Sequence, residues 1–201
     1  MNLALWEVWS YIHLPLIWYL FKRYGRRDVS GSLIAGTIIG CFLEFSTEPL
    51  WTYHFRYTVY KDIAPSIVMG WGGLFTLTIF FSEKLYRWWL RVDRVRVNDK
   101  RLFIFDVVAA CIIAFPMETM GLKSGVWTYN YEILNWNWGM VPFFEMPYEA
   151  LFGYALLMTI APTFIRRWRD AFAIEAPVRR LLRKLALPAE RRHVVHAHRR
   201  A

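Results

Sequence analysis

Five long apolar segments alternate with shorter polar stretches along the chain. Each is close to the ~20 residues that an α-helix needs to cross the ~30 Å hydrocarbon core of a bilayer. They predict membrane-spanning helices over residues 3–21, 32–51, 63–84, 102–122 and 140–165. The pattern therefore predicts an all-α, polytopic integral membrane protein with five transmembrane helices and one transmembrane domain over residues 1–165.

Composition and charge refine this picture. The 201 residues are 56% hydrophobic, and a soluble domain of this size could not cover five such segments with so little polar surface. Segments 22–27, 84–101 and 166–200 hold 22 of the 25 Lys and Arg residues, whereas the alternate loops hold only Arg56, Lys61 and Lys123. The positive-inside rule then predicts a multi-pass protein of the cell (inner) membrane, with its N-terminus outside and its C-terminus in the cytoplasm.

Residues 166–201 are expected to form a basic cytoplasmic tail. Residues 177–187 have the pattern of a short basic amphipathic helix that would lie on anionic lipids. We expect the positive charge to serve this contact, with no nucleic-acid partner. A group of histidines near the end could bind a metal, but a basic tail without a metal site is the preferred interpretation: His193, His196 and His198.

A short motif occurs twice. Trp51-Thr52-Tyr53 matches Trp127-Thr128-Tyr129, and a proline follows the first Trp by 14 residues and the second by 15, at Pro65 and Pro142. The pattern predicts two parallel helical-hairpin repeats, over about 32–86 and 102–168, related by an axis near the membrane normal, with the first helix additional. The alternative is that Trp and Tyr mark an interfacial aromatic belt twice by chance.

The second apolar segment has small and acidic residues at a spacing of four: Ser32, Gly36, Gly40, Glu44 and Glu48. The three small residues predict the close approach of another helix. That helix could belong to this chain, which we prefer, or to another protomer in a homo- or hetero-oligomer. The same helix face would deliver the two glutamates to the seam between the helices.

Six glutamates fall in the predicted outer half of the spans: Glu7, Glu44, Glu48, Glu118, Glu145 and Glu149. Intramembrane acids are costly and usually functional. Because a dry cluster cannot be fully ionised, we expect at least one glutamate to keep its proton near neutral pH, as acid–base chemistry on an apolar substrate requires. The alternative is a glutamate network that only packs helices. Aromatic side chains, including Trp6 and Trp9, could stabilise a cation beside them.

Other acid-rich chemistries fit the sequence less well. A di-iron bundle needs Glu-x-x-His pairs, and no predicted span contains one. A prenyl-diphosphate site would need clustered aspartates for magnesium, but the nearest candidates, Asp93, Asn98 and Asp99, lie in a basic inner loop. The sequence also has no Gly-rich phosphate loop and no serine elbow. We therefore expect neither a metal nor another cofactor.

The stretch from Gly125 to Asn130, Gly-Val-Trp-Thr-Tyr-Asn, is followed by Pro147-Tyr148-Glu149. This pairing of a Gly-x-Trp-x-aromatic-Asn loop with a Pro-x-Glu helix start resembles the membrane lycopene cyclase domain family. The resemblance covers about 115–154, with a weaker echo in 41–75. It implies redox-neutral cyclisation of a polyene, begun by protonation of a double bond, with Glu149 as the leading catalytic candidate.

The chain also departs from that family. Ala150 stands where the family usually has a second glutamate, and the family's domains usually have three spans each. The layout is also similar to small integral-membrane terpene cyclases of meroterpenoid pathways and to carotenoid hydratases. These resemblances imply alkene protonation as well, with a different substrate or with water ending the reaction.

The preferred hypothesis is an isoprenoid cyclase for a lipid-soluble polyene or prenylated substrate, which protonates an alkene or epoxide and ends by deprotonation. The candidate catalytic residues are Glu149, Glu44, Glu118, Glu48 and Glu145. The candidate substrate-binding residues are Trp51, Tyr53, Trp71, Trp127, Tyr129, Asn130, Tyr148 and Glu7. A carotenoid hydratase and a non-enzymatic proton-coupled carrier or scaffold are the alternatives. The inner half of the spans holds only Glu83 and Asp106, which favours a one-sided pocket over a carrier.

Overall fold

The computed structural model describes residues 3–186, without the side chains of Leu134 and residues 172–186. The long helices are α1 (Leu3–Arg23), α2 (Ser30–Thr47), α3 (Pro65–Leu90), α4 (Leu102–Lys123) and α6 (Tyr148–Ala186). Between them lie the single turn α5 (Tyr131–Leu134) and the short strands β1 (Trp51–Tyr53), β2 (Trp127–Tyr129), β3 (Met140–Val141) and β4 (Met146–Pro147). The predicted mostly helical fold is confirmed.

Within the described residues, four helical segments are long and apolar enough to cross a membrane: Ser30–Leu50, Pro65–Leu90, Leu102–Lys123 and Tyr148–Ala171. Helix α1 matches the first predicted span in length but is not among these four, so a fifth span stays a prediction. Helix α6 continues without a break past residue 166 to Ala186. The end of the predicted tail, including His193, His196 and His198, lies outside the described residues.

The fifth predicted span begins later than the sequence pattern suggested. Residues 140–147 form a hairpin of β3 and β4, and helix α6 starts only at Tyr148. Prolines at 142 and 147 disfavour helical backbone at the residue before each of them, and Gly139 has a φ of +94°. The turn also holds Phe143 and Glu145 at positive φ. These local constraints override the apolar composition of this stretch.

Helix α3 is the centre of the bundle, packed against α1, α2, α4 and α6. We call the end of the bundle that carries β1 and β2 the strand end. We call the opposite end, with the Arg-rich connections 24–29 and 91–101, the basic end. Contacts at each end show that α1, α3 and α6 run from the strand end to the basic end, and that α2 and α4 run back.

The small-residue stripe of α2 packs against α3 of the same chain, as predicted. A Cβ atom at Gly36 would lie 3.0 Å from the Cα of Gly72, and one at Gly40 would lie 2.4 Å from the Cβ of Trp71. The missing side chains let the two helices approach closely. Continued by one turn, the stripe places Glu44 against α3 in the fully buried interior.

The two Trp-Thr-Tyr motifs pair directly with each other. Strands β1 and β2 are antiparallel, with Trp51 opposite Tyr129, Thr52 opposite Thr128 and Tyr53 opposite Trp127. The pairing is symmetric about the two threonines. Side chains alternate along a strand, so the Trp and Tyr of each motif share a face. The ribbon therefore presents two pairs of aromatic side chains to the helices.

Charged side chains hold the basic end together. The guanidinium of Arg166 is fully buried and donates to both oxygens of Asp106, at 2.8 Å and 2.5 Å. The carboxylate of Glu83 pairs with Arg27 at 3.1 Å and with Arg169 at 3.0 Å. These pairs join α3, α4, α6 and the connection after α1. The two inner acids of the sequence are therefore neutralised by arginines within the fold.

Replacing Gly40 with alanine is expected to destabilise the fold, because the new Cβ would overlap the Cβ of Trp71 at 2.4 Å. Overpacking of this kind costs about 1–3 kcal/mol. The matched control is Gly153→Ala on α6, where a Cβ meets nothing within 4 Å. Thermal unfolding in detergent should show a lower Tm for Gly40→Ala and an unchanged or slightly higher Tm for the control. Equal Tm values for Gly40→Ala and the wild type would contradict the packing.

Candidate active site

Glu44 lies in the last turn of α2 and is fully buried. Its Oε1 accepts hydrogen bonds from the Tyr53 hydroxyl at 3.1 Å and from the Trp71 indole N–H at 2.5 Å. Its Oε2 is also buried, but has no hydrogen-bond partner among the described residues. One oxygen of this carboxyl group therefore accepts two hydrogen bonds, and the indole N–H of Trp51 approaches the carboxyl group without forming a hydrogen bond of normal geometry.

Glu118 lies on α4 and is 4% exposed. Its Oε2 accepts from the Trp127 indole N–H and the Tyr129 hydroxyl, both at 3.0 Å, and its Oε1 accepts from the Tyr154 hydroxyl. An ionised carboxylate acts only as an acceptor. Three donors on two oxygens therefore suit the ionised form of Glu118, in contrast to Glu44.

The two sets of donors are related by the pairing of the strands. Each glutamate lies near the end of a helix, and each receives a tyrosine hydroxyl from the strand that follows it. Each also receives a donor from the seventh residue of the next long helix, which is Trp71 in α3 and Tyr154 in α6. The rings of Trp71 and Tyr154 stack with centroids 5.8 Å apart. The two halves of the site therefore meet at these rings. The repeat that aligns Pro65 with Pro142 would match Trp71 to Tyr148, whereas in the structure Trp71 corresponds to Tyr154.

Burial of the strand tyrosines keeps their hydroxyl groups protonated. Desolvation raises the pKa of the Tyr53 phenol well above its usual value, and the nearby Glu44 raises it further. Desolvation and Glu118 act in the same way on the pKa of Tyr129. Both hydroxyls consequently remain donors to the carboxyl groups over the physiological pH range.

A cavity of about 520 Å³ lies over α3 between α1 and α4, and both Glu44 and Glu118 line it. Aromatic rings form much of its wall at the strand end: Trp6, Trp51, Tyr53, Trp71, Trp127 and Tyr129. Toward the basic end its lining is aliphatic: Leu16, Ile17, Leu20, Leu74 and Leu77. Such a chamber suits an elongated apolar molecule whose strand-end portion lies beside two carboxyl groups.

Two glycines shape the neighbourhood of this cavity. Gly70 on α3 lines it, and a Cβ there would meet nothing within 4 Å. Gly121 on α4 lies under the ring of Trp127, where an added Cβ would fall 2.1 Å from a ring carbon. The first glycine leaves space for a ligand. The second lets Trp127 cross α4 to reach Glu118.

Glu149, the leading candidate from the family resemblance, does not line the cavity. Its Oε1 accepts backbone N–H groups of Asn137 and Trp138, both at 2.8 Å. The sequence placed Glu149 well inside a helix that began at residue 140. Because α6 begins at Tyr148, Glu149 belongs to the first turn and holds the preceding loop. Tyr148 also lies outside the cavity lining.

Four other predicted site residues lie at the strand end outside the cavity lining, where each forms an ion pair or hydrogen bonds with other parts of the chain. Glu48 pairs with Lys61 at 2.5 Å, since Pro49 follows it and α2 ends at Thr47. Glu145 is exposed beside Lys123 at 3.4 Å. Two residues connect loops: Glu7 accepts the backbone N–H of Tyr57, and Asn130 donates to the Pro49 carbonyl and accepts from Thr52.

Sequence reasoning missed several residues of the cavity, and two of these, Tyr154 and Ser66, carry hydroxyl groups that matter for the site. Tyr154 has the same helix position as Trp71, but that position is defined only once the start of α6 is known. Ser66 carries no sequence signal beyond its place next to Pro65. Neither belongs to the repeated motif.

The described residues contain no group of three or more His, Cys, Asp or Glu side chains placed to hold a metal ion. His13 lines the cavity, and its Nδ1 contacts the backbone oxygen of Trp9 at 3.2 Å. The described side chains of the site supply two carboxyl groups, the imidazole of His13, several hydroxyl and indole donors, and aromatic rings.

Comparison with protein-family models, with curated proteins and with solved structures finds no match for this chain. The resemblance to the membrane lycopene cyclase domain therefore rests on the sequence motifs within residues 115–154 and their weaker echo in 41–75. What the site does must be argued from its own geometry.

Proposed function

We propose that the protein is an integral membrane isoprenoid cyclase that uses Glu44 as general acid and Glu118 as the second carboxyl group. The observation that carries this proposal is a pair of buried carboxyl groups, with different hydrogen bonding, on one largely apolar cavity. The substrate is a lipid-soluble polyene or prenylated compound. The reaction involves no redox change.

Glu44 is suited to donate a proton. When Glu44 is neutral, its Oε1 still accepts both hydrogen bonds, and its Oε2 carries the proton. Among the described residues, no acceptor forms a hydrogen bond with that proton, so it is available to a substrate. The O–H bond breaks as a C–H bond forms on a terminal alkene, or as an epoxide oxygen is protonated and its C–O bond opens. The tertiary cation is then attacked by the next double bond, which forms the ring.

Glu118 is suited to the opposite role. Three donors stabilise its negative charge, which in turn stabilises a cation developing in the cavity. The reaction ends when a C–H bond next to the cation breaks, its electron pair forms a double bond, and Glu118 accepts the proton. Proton exchange between the two carboxyl groups restores the starting state. The product is an isomer of the substrate.

The aromatic wall supports a cationic intermediate. The rings of Trp71 and Tyr154 stack beside both carboxyl groups, and Trp127 packs edge-on against Trp6 with centroids 5.8 Å apart. Ring faces attract a nearby cation, and more strongly where water is excluded. The same rings limit the access of water, which would otherwise end the reaction as an alcohol.

A carrier fits the described residues less well. Between the carboxyl groups and the charged pairs of the basic end lies an apolar core that includes Phe75, Ile79, Ala110, Ala114 and Met158. A carrier needs polar access from both sides, whereas this core separates the cavity from Arg166 and Asp106. The arrangement favours a pocket that serves one side of the bundle.

For the membrane arrangement, we propose α1 as a fifth span and the hairpins α2–α3 and α4–α6 as two parallel repeats. The symmetric pairing of β1 and β2 and the repeated donor pattern support the repeats. The strand end would face the outside and the basic end the cytoplasm, following the Lys and Arg distribution. Exposed Trp88 and Trp89 at the basic end of α3 fit an interfacial position, and the basic tail would contact anionic lipids.

Product mass tests the reaction class. Co-expression in a host that makes lycopene, and in one that makes a prenylated aromatic precursor, is expected to yield a new compound of unchanged mass. Liquid chromatography with mass spectrometry measures this directly. A gain of one water would indicate a hydratase instead, and proton or solute movement in liposomes without a product would indicate a carrier.

Glu44→Gln and Glu118→Gln are each expected to reduce turnover by at least ~100-fold, the effect typical of losing a general acid or base. Both amides can keep their main acceptor bonds, since the new amide at position 118 could turn its NH₂ group toward the Tyr154 oxygen. Glu145→Gln, at an exposed turn, is the matched control. Product formation per folded protein is the measurement. Full turnover in both variants, or a loss confined to Glu149→Gln, would contradict the assignment.

Filling the cavity is expected to abolish product formation without unfolding the protein. Gly70→Leu puts a side chain into the open space beside Trp71, whereas Gly153→Leu makes the same change at the equivalent position of α6, away from the cavity. We expect loss of product only for Gly70→Leu, with similar Tm values for the two variants. Equal activity in both would show that this cavity does not hold the substrate.

A further inference from the structure

Four buried polar atoms at the strand end of the cavity have no hydrogen bond of normal geometry among the described residues. Two of them, Glu44 Oε2 and the Trp51 indole N–H, lie close to each other, and the other two are isolated donors. The indole N–H of Trp6 belongs to a side chain that is 6% exposed, and the hydroxyl of Ser66 to one that is 1% exposed. Both residues line the cavity. An unpaired buried donor typically costs about 1–3 kcal/mol, so these two groups indicate a ligand atom that accepts hydrogen bonds.

Ser10 differs from Ser66, because its hydroxyl has a hydrogen-bond partner within the protein. Ser10 also lines the cavity and is buried, but its hydroxyl donates to the backbone oxygen of Glu7 at 2.7 Å. Toward the basic end, the lining from α1 and α3 is aliphatic, with Leu16, Ile17, Leu20 and Leu77. Apart from His13, which lies midway along α1, the polar groups available to a ligand are thus concentrated at the strand end of the chamber.

We propose that the substrate is a prenyl compound whose reacting end carries an oxygen atom, held by Trp6 and Ser66, rather than a hydrocarbon polyene. This inference rests on the proposed function and names its substrate class. The oxygen end lies at the strand end near Glu44 and Glu118, and the hydrocarbon tail points toward Leu20 and Leu77. A hydroxyl, carbonyl or epoxide oxygen can accept a hydrogen bond from either donor.

The cavity also sets the length of the chain. From Trp6 to Leu20 along α1 is ~21 Å, and from Ser66 to Leu77 along α3 is ~17 Å, at ~1.5 Å per helical residue. An extended prenyl chain advances roughly 5 Å per isoprene unit, because its carbon–carbon bonds of ~1.5 Å follow a zigzag. The chamber therefore fits three to four isoprene units.

Binding to purified protein in lipid nanodiscs tests this inference, with Glu44→Gln present throughout to prevent turnover. The probes are tritiated geranylgeraniol, a C20 alcohol, and the C20 hydrocarbon that lacks its hydroxyl, each corrected for uptake by protein-free nanodiscs. We expect the alcohol to bind at least tenfold more tightly. Trp6→Phe and Ser66→Ala should each reduce affinity for the alcohol about three- to tenfold, as the loss of one hydrogen bond predicts.

Affinity for the hydrocarbon should stay the same in both variants, which also reports that the cavity is intact. Ser10→Ala is the matched control and should keep the wild-type preference for the alcohol. Alcohols of two and six isoprene units should bind more weakly than those of three and four. Equal affinity for alcohol and hydrocarbon, or equal weakening of both by the variants, would overturn the oxygen assignment, and tight binding of the six-unit alcohol would overturn the length.

Because binding is the readout, the two proposals can fail separately. Oxygen-dependent binding without an isomeric product in cells would support the proposed ligand class and contradict the proposed cyclase activity. An isomeric product from a hydrocarbon polyene, together with equal affinity for the alcohol and the hydrocarbon, would support the cyclase activity and contradict the proposed oxygen-bearing substrate.

Discussion

The burial of two carboxyl groups beside an apolar cavity is the constraint on which the rest of the structure depends. A buried carboxyl group is costly unless donors satisfy it. Here the donors are indole N–H and phenol O–H groups, which satisfy the oxygens while adding aromatic surface to the cavity. The Trp-Thr-Tyr motif therefore combines two functions, because alternate residues of a strand face the same side.

The near symmetry of the site explains how one scaffold can hold two carboxyl groups with different hydrogen-bond partners. The strand pairing gives each glutamate a tyrosine from its own motif, but the remaining donors differ. Trp127 donates to Glu118 because Gly121 leaves room for its ring, whereas the indole N–H of Trp51 approaches Glu44 without forming a hydrogen bond of normal geometry. Glu118 thus accepts three hydrogen bonds, and Glu44 accepts two, both at the same oxygen. That difference is the basis for assigning separate acid and base roles.

Much of this arrangement can be predicted from the sequence, because it follows from local periodicity. Spacing of four residues along α2 identifies both the packing face and Glu44, and hydropathy identifies the long helices. The direct pairing of the two motifs could not be predicted, since it depends on the register of strands 76 residues apart. The position of Glu149 outside the cavity lining could not be predicted, because prolines and left-handed residues in 139–147 delay the start of α6. Tyr154 was missed for the same reason.

The charged pairs at the basic end show a second limit of sequence reasoning. The sequence predicts Asp106 and Glu83 to be isolated acids in the inner half of the spans, and it predicts Arg166 to be the first residue of a basic tail. In the folded chain, α6 continues past Ile165 toward the basic end, and the guanidinium of Arg166 donates hydrogen bonds to the carboxylate of Asp106. A buried pair of this kind is strongly destabilising to break. The pair between Arg166 and Asp106 joins α6 to α4, the helices that carry Tyr154 and Glu118.

The most direct measurement of the central claim is the infrared spectrum of the protein in lipid at neutral pH. A neutral carboxyl group has a C=O band well separated from carboxylate bands, so the protonation of each glutamate can be assigned by substitution. The account predicts a neutral carboxyl band that disappears in Glu44→Gln and persists in Glu118→Gln. A spectrum without that band, or a band that disappears only in Glu118→Gln, would contradict it.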